Sequence, residues 1–391
     1  MKVKHSIKLK LFVIITPIIF IFLSCEKSSL KKYQLTAYDG QLTWEQVTPQ
    51  AEWDNRLDHE VSVLNDELYL AGGYNPGKVN GDPYFEDVWK SSDGMSWTNV
   101  TDNAPWNGRR GHALITFNDG NGDALYLIGG FSVNEKTGER SYNNDVWKSS
   151  DGHTWEKIKN NTDVALSDTT DWVARMHHKV VITKRAGQNY MILSAGRTMK
   201  KDIEGRYAVK YCNDLWGSYN GIEWEYLHSN DFGIRSEHAM AVDDIGTLYI
   251  QGGQHGVIFD SPDSVNYEPI ANYYHLWTSA DGSHWEAKSN VDIVESQLLS
   301  RAGHELIYYK NRLWSLPGKT ISSNHYHFTN PEHYPTWTYA MSDNWAIDSR
   351  GTAIDARHNY AAIVFKDKIW VLGGNTNKKG QNNDVWQATL N

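Results

Sequence analysis

A short apolar phrase that ends in two small residues returns six times along the 391-residue chain, at a spacing of about 60 residues. A regular period of this size indicates a repeat architecture, in which each unit builds one small piece of the fold. The six copies are LYLAGG (68–73), LYLIGG (125–130), MILSAG (191–196), LYIQGG (248–253), LWSLPG (313–318) and IWVLGG (369–374).

Two further phrases recur with the same period. An Arg-x-x-His phrase precedes each copy, and a phrase with two tryptophans follows it, as in DVWKSSDGMSW (87–97), DVWKSSDGHTW (145–155), DLWGSYNGIEW (214–224) and HLWTSADGSHW (275–285). Each unit therefore predicts four short strands: one after the histidine, one ending in Gly-Gly, and one at each tryptophan. The Arg and His pairs are Arg56 and His59, Arg109 and His112, Arg175 and His178, Arg235 and His238, Arg301 and His304, and finally Arg357 with Tyr360.

The Ser-x-Asp-Gly segment between the two tryptophans predicts a hairpin turn. Glycine accepts a positive φ, and aspartate bonds its own backbone. A two-residue loop would place the two tryptophans on opposite faces of the sheet, whereas a loop of odd length would pair them. The sequence leaves both arrangements open.

Four-stranded units repeated around a channel are the blades of a β-propeller. The pattern resembles the kelch repeat, in which a strand ending in Gly-Gly is followed by spaced aromatic residues. The resemblance implies an all-β, six-bladed kelch-type propeller over residues 37–391, within the superfamily that includes galactose oxidase. The segment LTWEQV (42–47) reads as a fourth strand without a blade, and the last unit lacks one, so we expect the two termini to share the last blade.

The first residues predict an export signal. Four lysines in MKVKHSIKLK precede the apolar run LFVIITPIIFIFL, which is short for a membrane span. The run ends at FLSC, which resembles the lipobox of bacterial lipoproteins and implies cleavage before Cys25 and acylation of its thiol. We therefore expect a signal peptide over 1–24, a tether over 25–36, and a palmitate-type lipid anchor in the cell envelope, at the outer membrane.

Charge and cysteine content exclude some classes of function. The formal charge is −9, and removal of residues 1–24 leaves 34 Lys and Arg against 47 acids, a net −13. A nucleic-acid partner is not expected, because such surfaces are usually basic. With Cys25 acylated, only Cys212 remains, so no intramolecular disulfide is available.

The repeated arginines Arg56, Arg109, Arg175, Arg235, Arg301 and Arg357 would ring one mouth of the channel if the first strand of each unit lines it. Guanidinium groups match carboxylate or sulfate, so the ring is a candidate anion-binding site. The alternative is a structural role, with ion pairs to the nearby Asp58, Glu60, Glu237 and Glu305. The histidines point to the other side of the strand and are expected to pack against neighbouring sheets.

Departures from the repeat mark candidate sites, because symmetry cannot explain them. Arg197 follows Ala195-Gly196 in unit three, and Lys319 follows Pro317-Gly318 in unit five, where other units carry Tyr74, Phe131, Gln254 and Asn375. Unit three also has His177 beside His178 and a long loop with Arg206, Tyr207 and Tyr211. His178 or Tyr207 as base, with Arg197 neutralising a uronate, would equip a polysaccharide lyase.

Other chemistries have weaker motifs. His325 and His327 form an H-x-H loop with His333 nearby, which can hold zinc but lacks a clear fourth ligand, so stacking on sugars is the preferred interpretation. SSDGMSW departs from the Asp-box of sialidases, and Cys212 lies outside any copper motif. No metal and no cofactor are predicted.

The sequence therefore predicts an envelope lipoprotein whose propeller binds or processes carbohydrate, in particular acidic polysaccharide. Two alternatives stay open. One is a glycan-active enzyme, either a lyase or a sugar mutarotase, since the bacterial sialic-acid mutarotase is similar in fold, size and export. The other is a scaffold for protein partners in an outer-membrane complex.

Overall fold

A computed structural model describes residues 42–390 except 79–80, 134–138, 202–206, 230–231, 262–263, 273–274, 289–300, 320–336, 341–343, 348–353 and 377–378. It describes the backbone alone at 201, 207, 228–229, 257–261, 264–272, 337–340 and 344–347. The predicted signal peptide, tether and Cys25 lie outside the described residues. Among those that are described, no helix has the length and hydropathy needed to cross a membrane.

The described chain is built of antiparallel β-strands. In chain order they are β1 Leu42–Thr48, β2 Glu60–Leu64, β3 Glu67–Ala71, β4 Val88–Ser91, β5 Thr98–Thr101, β6 Arg109–Arg110, β7 Ala113–Asn118, β8 Asp123–Val133, β9 Arg140–Ser149, β10 Glu156–Lys159, β11 Lys179–Arg185, β12 Gln188–Ser194, β13 Arg197–Lys201, β14 Tyr207–Tyr211, β15 Asp214–Ser218, β16 Glu225–Ser229, β17 Ala239–Val242, β18 Leu248–Gln251, β19 Gln254–Ser261, β20 Ser264–Asn272, β21 Leu276–Ser279, β22 Glu286–Ala287, β23 Leu306–Tyr309, β24 Arg312–Ser315, β25 Trp337–Ala340, β26 Asn344–Ile347, β27 Arg357–His358, β28 Ala361–Phe365, β29 Lys368–Thr376 and β30 Gly380–Leu390.

Five sheets have the strand order of propeller blades: β2-β3-β4-β5, β7-β8-β9-β10, β11-β12-β15-β16, β17-β18-β21-β22 and β28-β29-β30-β1. The all-β propeller fold is therefore confirmed. The strands β23-β24-β25-β26 have the same order, but the outer two are described by their backbone alone. The count of six blades stays a prediction. The innermost strands contact one another in sequence, and β28 contacts β2.

The two ends of the described chain meet in one sheet. Strand β1 pairs antiparallel with β30, with Leu42 opposite Leu390 and Trp44 opposite Ala388. The predicted pairing of the N-terminal strand with the last unit is confirmed. This pairing covers an edge strand that would otherwise present unpaired backbone groups to solvent.

An additional sheet, β13-β14-β19-β20, lies outside the blades. Its first two strands form the hairpin that follows Ala195-Gly196 in unit three, and its last two follow Gly252-Gly253 in unit four. The two hairpins join where Ala208 pairs with Phe259. The repeat did not predict this sheet, because it is formed by the parts of the units that differ from one another.

The tryptophan phrase builds the core between blades. Trp147 and Trp155 lie in one buried cluster with residues of units one and two, and Trp216 and Trp224 lie in another with residues of unit two. The second tryptophan packs edge to face against an aromatic residue three positions before the repeated arginine. These pairs are Trp53 with Trp97, Trp106 with Trp155, Trp172 with Trp224 and Phe232 with Trp285. Their ring geometry is the one that aromatic pairs prefer.

The turn between the tryptophans has the predicted chemistry. In unit one, Asp93 Oδ1 accepts hydrogen bonds from the backbone N–H groups of Met95 and Ser96, and Gly94 has φ of +78°. Ser91 Oγ accepts from the Gly94 N–H at 2.8 Å. The same contacts recur in the later copies, for example at Asp151. The phrase is architectural in every described copy.

The Gly-Gly pair and the histidine of the Arg-x-x-His phrase are spatial partners. A Cβ on Gly130, whose φ is +99°, would lie 2.8 Å from His112 Cβ of the same unit. A Cβ on Gly129 would lie 3.0 Å from His178 Cε1 of the next unit. A side chain at either glycine would therefore push a histidine out of place. The expected packing of the histidines against neighbouring sheets is what the structure shows.

Candidate functional site

The repeated arginines lie inside the blades rather than around the mouth. All six are buried, with at most 2% of each exposed. Each donates from Nη1 to a backbone carbonyl at the end of the Gly-Gly phrase. In five units the acceptor is the residue just before the last glycine, as for Arg56 with the Gly72 oxygen at 2.9 Å, and in unit five it is Leu316, two positions before Gly318. The equivalent carbonyls are those of Gly129, Ala195, Gly252, Leu316 and Gly373. This contact ties the first strand of a unit to its second.

Four of these arginines also hold an aspartate in a two-bond ion pair, namely the Asp that opens the tryptophan phrase. Arg56 Nη1 and Nη2 lie 2.7 and 2.8 Å from Asp87 Oδ1 and Oδ2. The equivalent pairs are Arg109 with Asp145, Arg175 with Asp214 and Arg357 with Asp384. The indole of the following tryptophan donates to the same carboxylate, as Trp89 does to Asp87 at 2.7 Å. Burial opposes ionisation of Asp87, but Arg56 outweighs it and lowers the carboxyl pKa.

The expected ion pairs of these arginines with Asp58, Glu60, Glu237 and Glu305 were wrong. Those acids lie two and four positions after an arginine of the repeat and face the channel, whereas the arginine turns into its own sheet. The ligand-binding role predicted for the six arginines stays a prediction. Their described contacts are the structural ones given above.

The five histidines of the repeat are buried and neutral. Burial lowers the pKa of His59 and His112 to about 3, and Arg56 and Arg109 lower it further. Burial and Arg175 hold the pKa of His178 well below its usual value. The His178 ring packs at 5.9 Å from Trp172. His178 is thus placed among core aromatics, and its catalytic assignment stays a prediction.

A ring of backbone hydrogen bonds surrounds the propeller axis. Its members, called here the axial ring, stand two positions after each repeated arginine: Asp58, Gly111, His177, Glu237, Gly303 and Asn359. Each N–H donates to the carbonyl of the member before it, at 2.7–3.1 Å, and Asp58 closes the circle by donating to Asn359. All six have φ between +54° and +61°, a left-handed conformation that is rare outside glycine.

The side chains of the axial ring form a charged cluster. His177 Nε2 lies 3.0 Å from Asp58 Oδ1, and His177 Nδ1 lies 3.2 Å from Glu237 Oε1. Asn359 donates from Nδ2 to Asp58 Oδ1 at 2.6 Å. Burial opposes ionisation of Asp58, but His177 and Arg110 outweigh it and hold the pKa of Asp58 well below its usual value. The cluster therefore presents two ionised carboxylates at the axis.

Three cations surround these two carboxylates. Arg110 Nη1 lies 3.8 Å from Asp58 Oδ2, and Arg197 Nη2 lies 3.8 Å from Glu237 Oε1. Lys319 Nζ pairs closely with Glu237 Oε2. Lys319 and His177 help to hold the pKa of Glu237 well below its usual value, against the effect of its burial. Arg197 of unit three and Lys319 of unit five are the two cations predicted as departures from the repeat. The structure brings both against Glu237 of unit four, which lies between those units.

A second charged layer fills the channel beneath the axial ring. Lys179 Nζ lies 3.2 Å from Glu60 Oε1 and 2.8 Å from Glu305 Oε1. The equivalent positions in the other units are Ala113, Ala239 and Ala361, which leave room for these long side chains. The cavity between the two layers encloses only about 30 Å³. Lys179, Glu60 and Glu305, called here the axial plug, therefore close the channel to anything larger than water.

A much larger cleft opens at the mouth, above the axial ring. It encloses about 1230 Å³ and is lined by residues of units one to three. Tyr74, Tyr84, Phe131 and Tyr142 supply aromatic surface, and Arg110 and Arg197 supply charge. The Arg110 guanidinium lies 4.5 Å from the centre of the Tyr74 ring. We call this the mouth cleft.

Arg110 and Arg197 are the most informative residues of the mouth cleft. The Nε atoms of both are buried and have no hydrogen-bond partner among the residues that the structure describes. Their contacts with Asp58 and Glu237 are long and involve other nitrogens. A buried N–H of a charged group without a partner is costly, so such donors point to a ligand that completes them.

Tyr142 places a hydroxyl group beside the two arginines. It lies on β9 opposite Phe131, which pairs in turn with Arg110 on β6. Burial raises the pKa of Tyr142, although Arg197 and Arg110 oppose the shift. The phenol is therefore neutral near pH 7 and able to donate a hydrogen bond.

Several predicted site residues are not described. The side chain of Tyr207 and the whole of Arg206 lie outside the described residues, as do His325, His327 and His333. Cys212 is buried and unpaired, and burial raises the pKa of its thiol to about 12. Within the described part of the chain, no group of three or more His, Cys, Asp or Glu side chains is arranged to hold a metal ion.

Sequence reasoning missed Arg110, Tyr84 and Tyr142, and treated His177 only as a neighbour of His178. A signal for two of them was present. Arg110 and His177 stand one and two positions after a repeated arginine, and the residues at those positions vary between units. Tyr84 and Tyr142 reach the cleft through the lengths of their own loops, which no repeat pattern encodes.

Blades of four antiparallel strands, with Gly-Gly, arginine and tryptophan positions that recur from unit to unit, define this chain as a β-propeller. Among solved structures it is similar to that of YjhT, with a TM-score of 0.57 and 15% sequence identity over 88% of this chain and 96% of that chain. No family model and no curated protein sequence matches the chain. At this identity the likeness shows the fold.

Proposed function

We propose that the protein binds carboxylated carbohydrate in the mouth cleft. The observation that carries the proposal is the pair of partly buried arginines, Arg110 and Arg197, whose Nε atoms are buried and have no hydrogen-bond partner among the described residues. Guanidinium forks match the planar geometry of a carboxylate. The surrounding aromatic rings offer flat apolar faces for a sugar ring, with a few polar groups to orient it, as is usual in ligand sites.

The charge of the mouth supports an anionic ligand. Three cations, Arg110, Arg197 and Lys319, stand against the two carboxylates of Asp58 and Glu237. The surplus is local, since the whole chain carries −9. Only 14–25% of these three side chains is exposed, so the surplus attracts one negative charge more strongly than it would at a fully exposed surface.

A sugar mutarotase is the second candidate. Its support is the likeness in fold to YjhT, a kelch-repeat sialic-acid mutarotase. Mutarotation needs one group to give a proton and another to take it. His177 lies between Asp58 and Glu237, the two acids that Arg110 and Arg197 contact, and is the candidate for this proton transfer.

Calorimetric titration of the soluble propeller with acidic sugars and their neutral counterparts tests the binding proposal. Glucuronic acid, galacturonic acid and N-acetylneuraminic acid should bind, and glucose, galactose and N-acetylmannosamine should not. Arg197→Gln should weaken binding by about tenfold or more, as loss of a paired charge costs 1.4 kcal/mol or more. Arg185→Gln is the matched control, because Arg185 ends β11, whose first residue Lys179 lies at the axis, and it pairs with Glu225 outside the cleft lining.

Equal binding of neutral and acidic sugars, or an Arg197→Gln variant with unchanged affinity, would reject the proposal. Two activity assays then separate a binder from an enzyme. A lyase would produce an unsaturated product that absorbs in the ultraviolet, and a mutarotase would speed the exchange of anomers seen by NMR. His177→Gln should remove the second activity if His177 transfers the proton.

The architecture and location that the sequence predicts belong to the same proposal. Six blades are supported by the closed axial ring, to which each of six units contributes one residue.

Lipid attachment at Cys25 would tether the propeller to the outer membrane and leave it free to meet glycans or protein partners. Metabolic labelling with a palmitate analogue, compared between the natural chain and Cys25→Ser, tests the anchor.

A further inference from the structure

Resting on the proposed function, we infer that the mouth cleft recognises the end of a glycan chain, with a terminal carboxylated sugar at its blind inner end and neutral sugars further out. The observations are the closure of the channel beneath the cleft, the volume of the cleft, and the way charge changes along it. Each is independent of the identity of the acidic sugar.

The inner end of the mouth cleft is blind. Arg110 and Arg197 contact the axial ring through Asp58 and Glu237. Beneath that ring, Lys179 bridges Glu60 and Glu305, and only about 30 Å³ separates the two layers. A sugar chain therefore cannot continue through the propeller.

The far side of the mouth is also occupied, among the residues that the structure describes. Gln254 Nε2 donates to Glu237 Oε1 at 2.9 Å, and Lys319 pairs with the other oxygen of that acid. Asn375 lies 3.1 Å from His358 Nε2 through its side-chain nitrogen. These side chains contact one another or the axial ring, and none of them lines the cleft. An internal sugar of a chain, which needs an exit on both sides, does not fit this arrangement.

The mouth cleft is larger than one sugar requires. Its volume of about 1230 Å³ exceeds the roughly 300–1,000 Å³ of pockets that hold drug-sized molecules. The walls are strand extensions beyond the blades. Arg140 stands two residues outward from Tyr142 on β9, roughly 7 Å further along, and Lys200 stands three residues outward from Arg197 on β13, roughly 10 Å further. The cleft therefore continues past the arginine pair.

Charge is balanced at the outer end, unlike at the inner end. Lys200 Nζ lies 2.7 Å from Asp163 Oδ1, and the exposed Arg140 is accompanied by the exposed Glu139. Two cations and two carboxylates leave no net attraction for an anion. Such exposed pairs are weak, so their groups are able to exchange partners with sugar hydroxyls. The carboxylate therefore belongs at the inner end and neutral units at the outer end.

Three trisaccharides with one glucuronic acid and two glucose units test the inference. They differ only in whether the acid stands at the non-reducing end, at the reducing end or in the middle. Calorimetry with the soluble propeller should show an isomer with the acid at an end binding about tenfold or more tighter than the middle isomer. Equal affinity of the middle isomer would overturn the inference, whereas no binding of any isomer or of glucuronic acid itself would reject the proposed function instead.

A double variant tests the outer part of the cleft. Asp163→Asn with Lys200→Gln should lower the affinity for the better end-placed trisaccharide and leave that for glucuronic acid alone unchanged. Arg185→Gln again serves as control. If the double variant leaves the trisaccharide affinity unchanged, or lowers both affinities equally, the outer sugars have no separate site and the inference is wrong.

Discussion

At the residue scale, the repeat is explained by one recurring cluster. An arginine, the carbonyl beside Gly-Gly, an aspartate and a tryptophan indole come from three strands of one blade and meet in the same place. Three phrases that look separate in the sequence are thus parts of a single contact. The arginine contacts a carbonyl of its own unit in all six units, and in four of them it also holds the aspartate, which explains why it recurs.

Removing the acid from one of these clusters should be costly. Asp145→Asn leaves Arg109, which is 2% exposed, without its counter-charge, and breaking such a buried pair costs about 3–5 kcal/mol. Chemical denaturation of the variant should show this loss in the free energy of unfolding. Asp163→Asn is the control, since Asp163 is exposed and its pair with Lys200 is worth about 1 kcal/mol or less. A similar loss in both variants would contradict the structural role of the cluster.

At the element scale, the blade strands and their order could be predicted because the pattern that encodes them recurs. The four strands of five blades, the turn at Asp93 and the pairing of β1 with β30 all followed from phrases in the sequence. The sheet formed by β13, β14, β19 and β20 could not be predicted from the sequence, because it joins two hairpins that are distant in sequence and unlike each other. The walls of the mouth cleft belong to such elements.

The candidate site was predictable only in part for the same physical reason. Arg197 and Lys319 were identified as departures from symmetry, and the structure places both on Glu237. Arg110 and Tyr142 reach the cleft because β6 and β9 pair with the extended β8. That pairing depends on hairpin length and register, which single-residue patterns do not specify.

The closing strand should matter for both stability and solubility. A chain that begins at residue 50 lacks β1 and leaves the edge of β30 open, while a chain that begins at residue 37 keeps it. We expect the shorter chain to melt at a lower temperature and to associate, because an open edge pairs with other chains. Thermal denaturation and light scattering would measure the two effects. Identical melting and a monomeric short chain would show that β1 contributes little.

At the scale of the whole molecule, the axial plug links stability to pH. Burial raises the pKa of Glu305 from 4.5 to about 7, and although Lys179 opposes the shift, Glu60 adds to it. The folded state then binds a proton that the unfolded chain releases. Stability from this group is therefore full below about pH 4.5 and is lost as the pH rises to about 7.

Glu305→Gln should remove this dependence, since glutamine mimics the protonated acid and does not titrate. The melting temperature of the variant minus that of the natural protein should rise by on the order of 5 °C between about pH 4.5 and 7, then level off. Glu286→Gln, at an exposed position, should show no such trend. A constant difference across the range would show that Glu305 ionises normally.

The closed circle of backbone bonds at the axis has a consequence for how such a protein can change its ligand. Because main-chain atoms form the circle, its geometry does not depend on which side chains it carries, and glycine, histidine, acid and amide already occupy equivalent positions. The adjacent positions held by Tyr74, Phe131, Arg197, Gln254, Lys319 and Asn375 are similarly interchangeable. Side chains at the mouth can therefore be exchanged independently of one another. A new ligand specificity requires substitution of a few of these residues and no change in the propeller backbone that carries them.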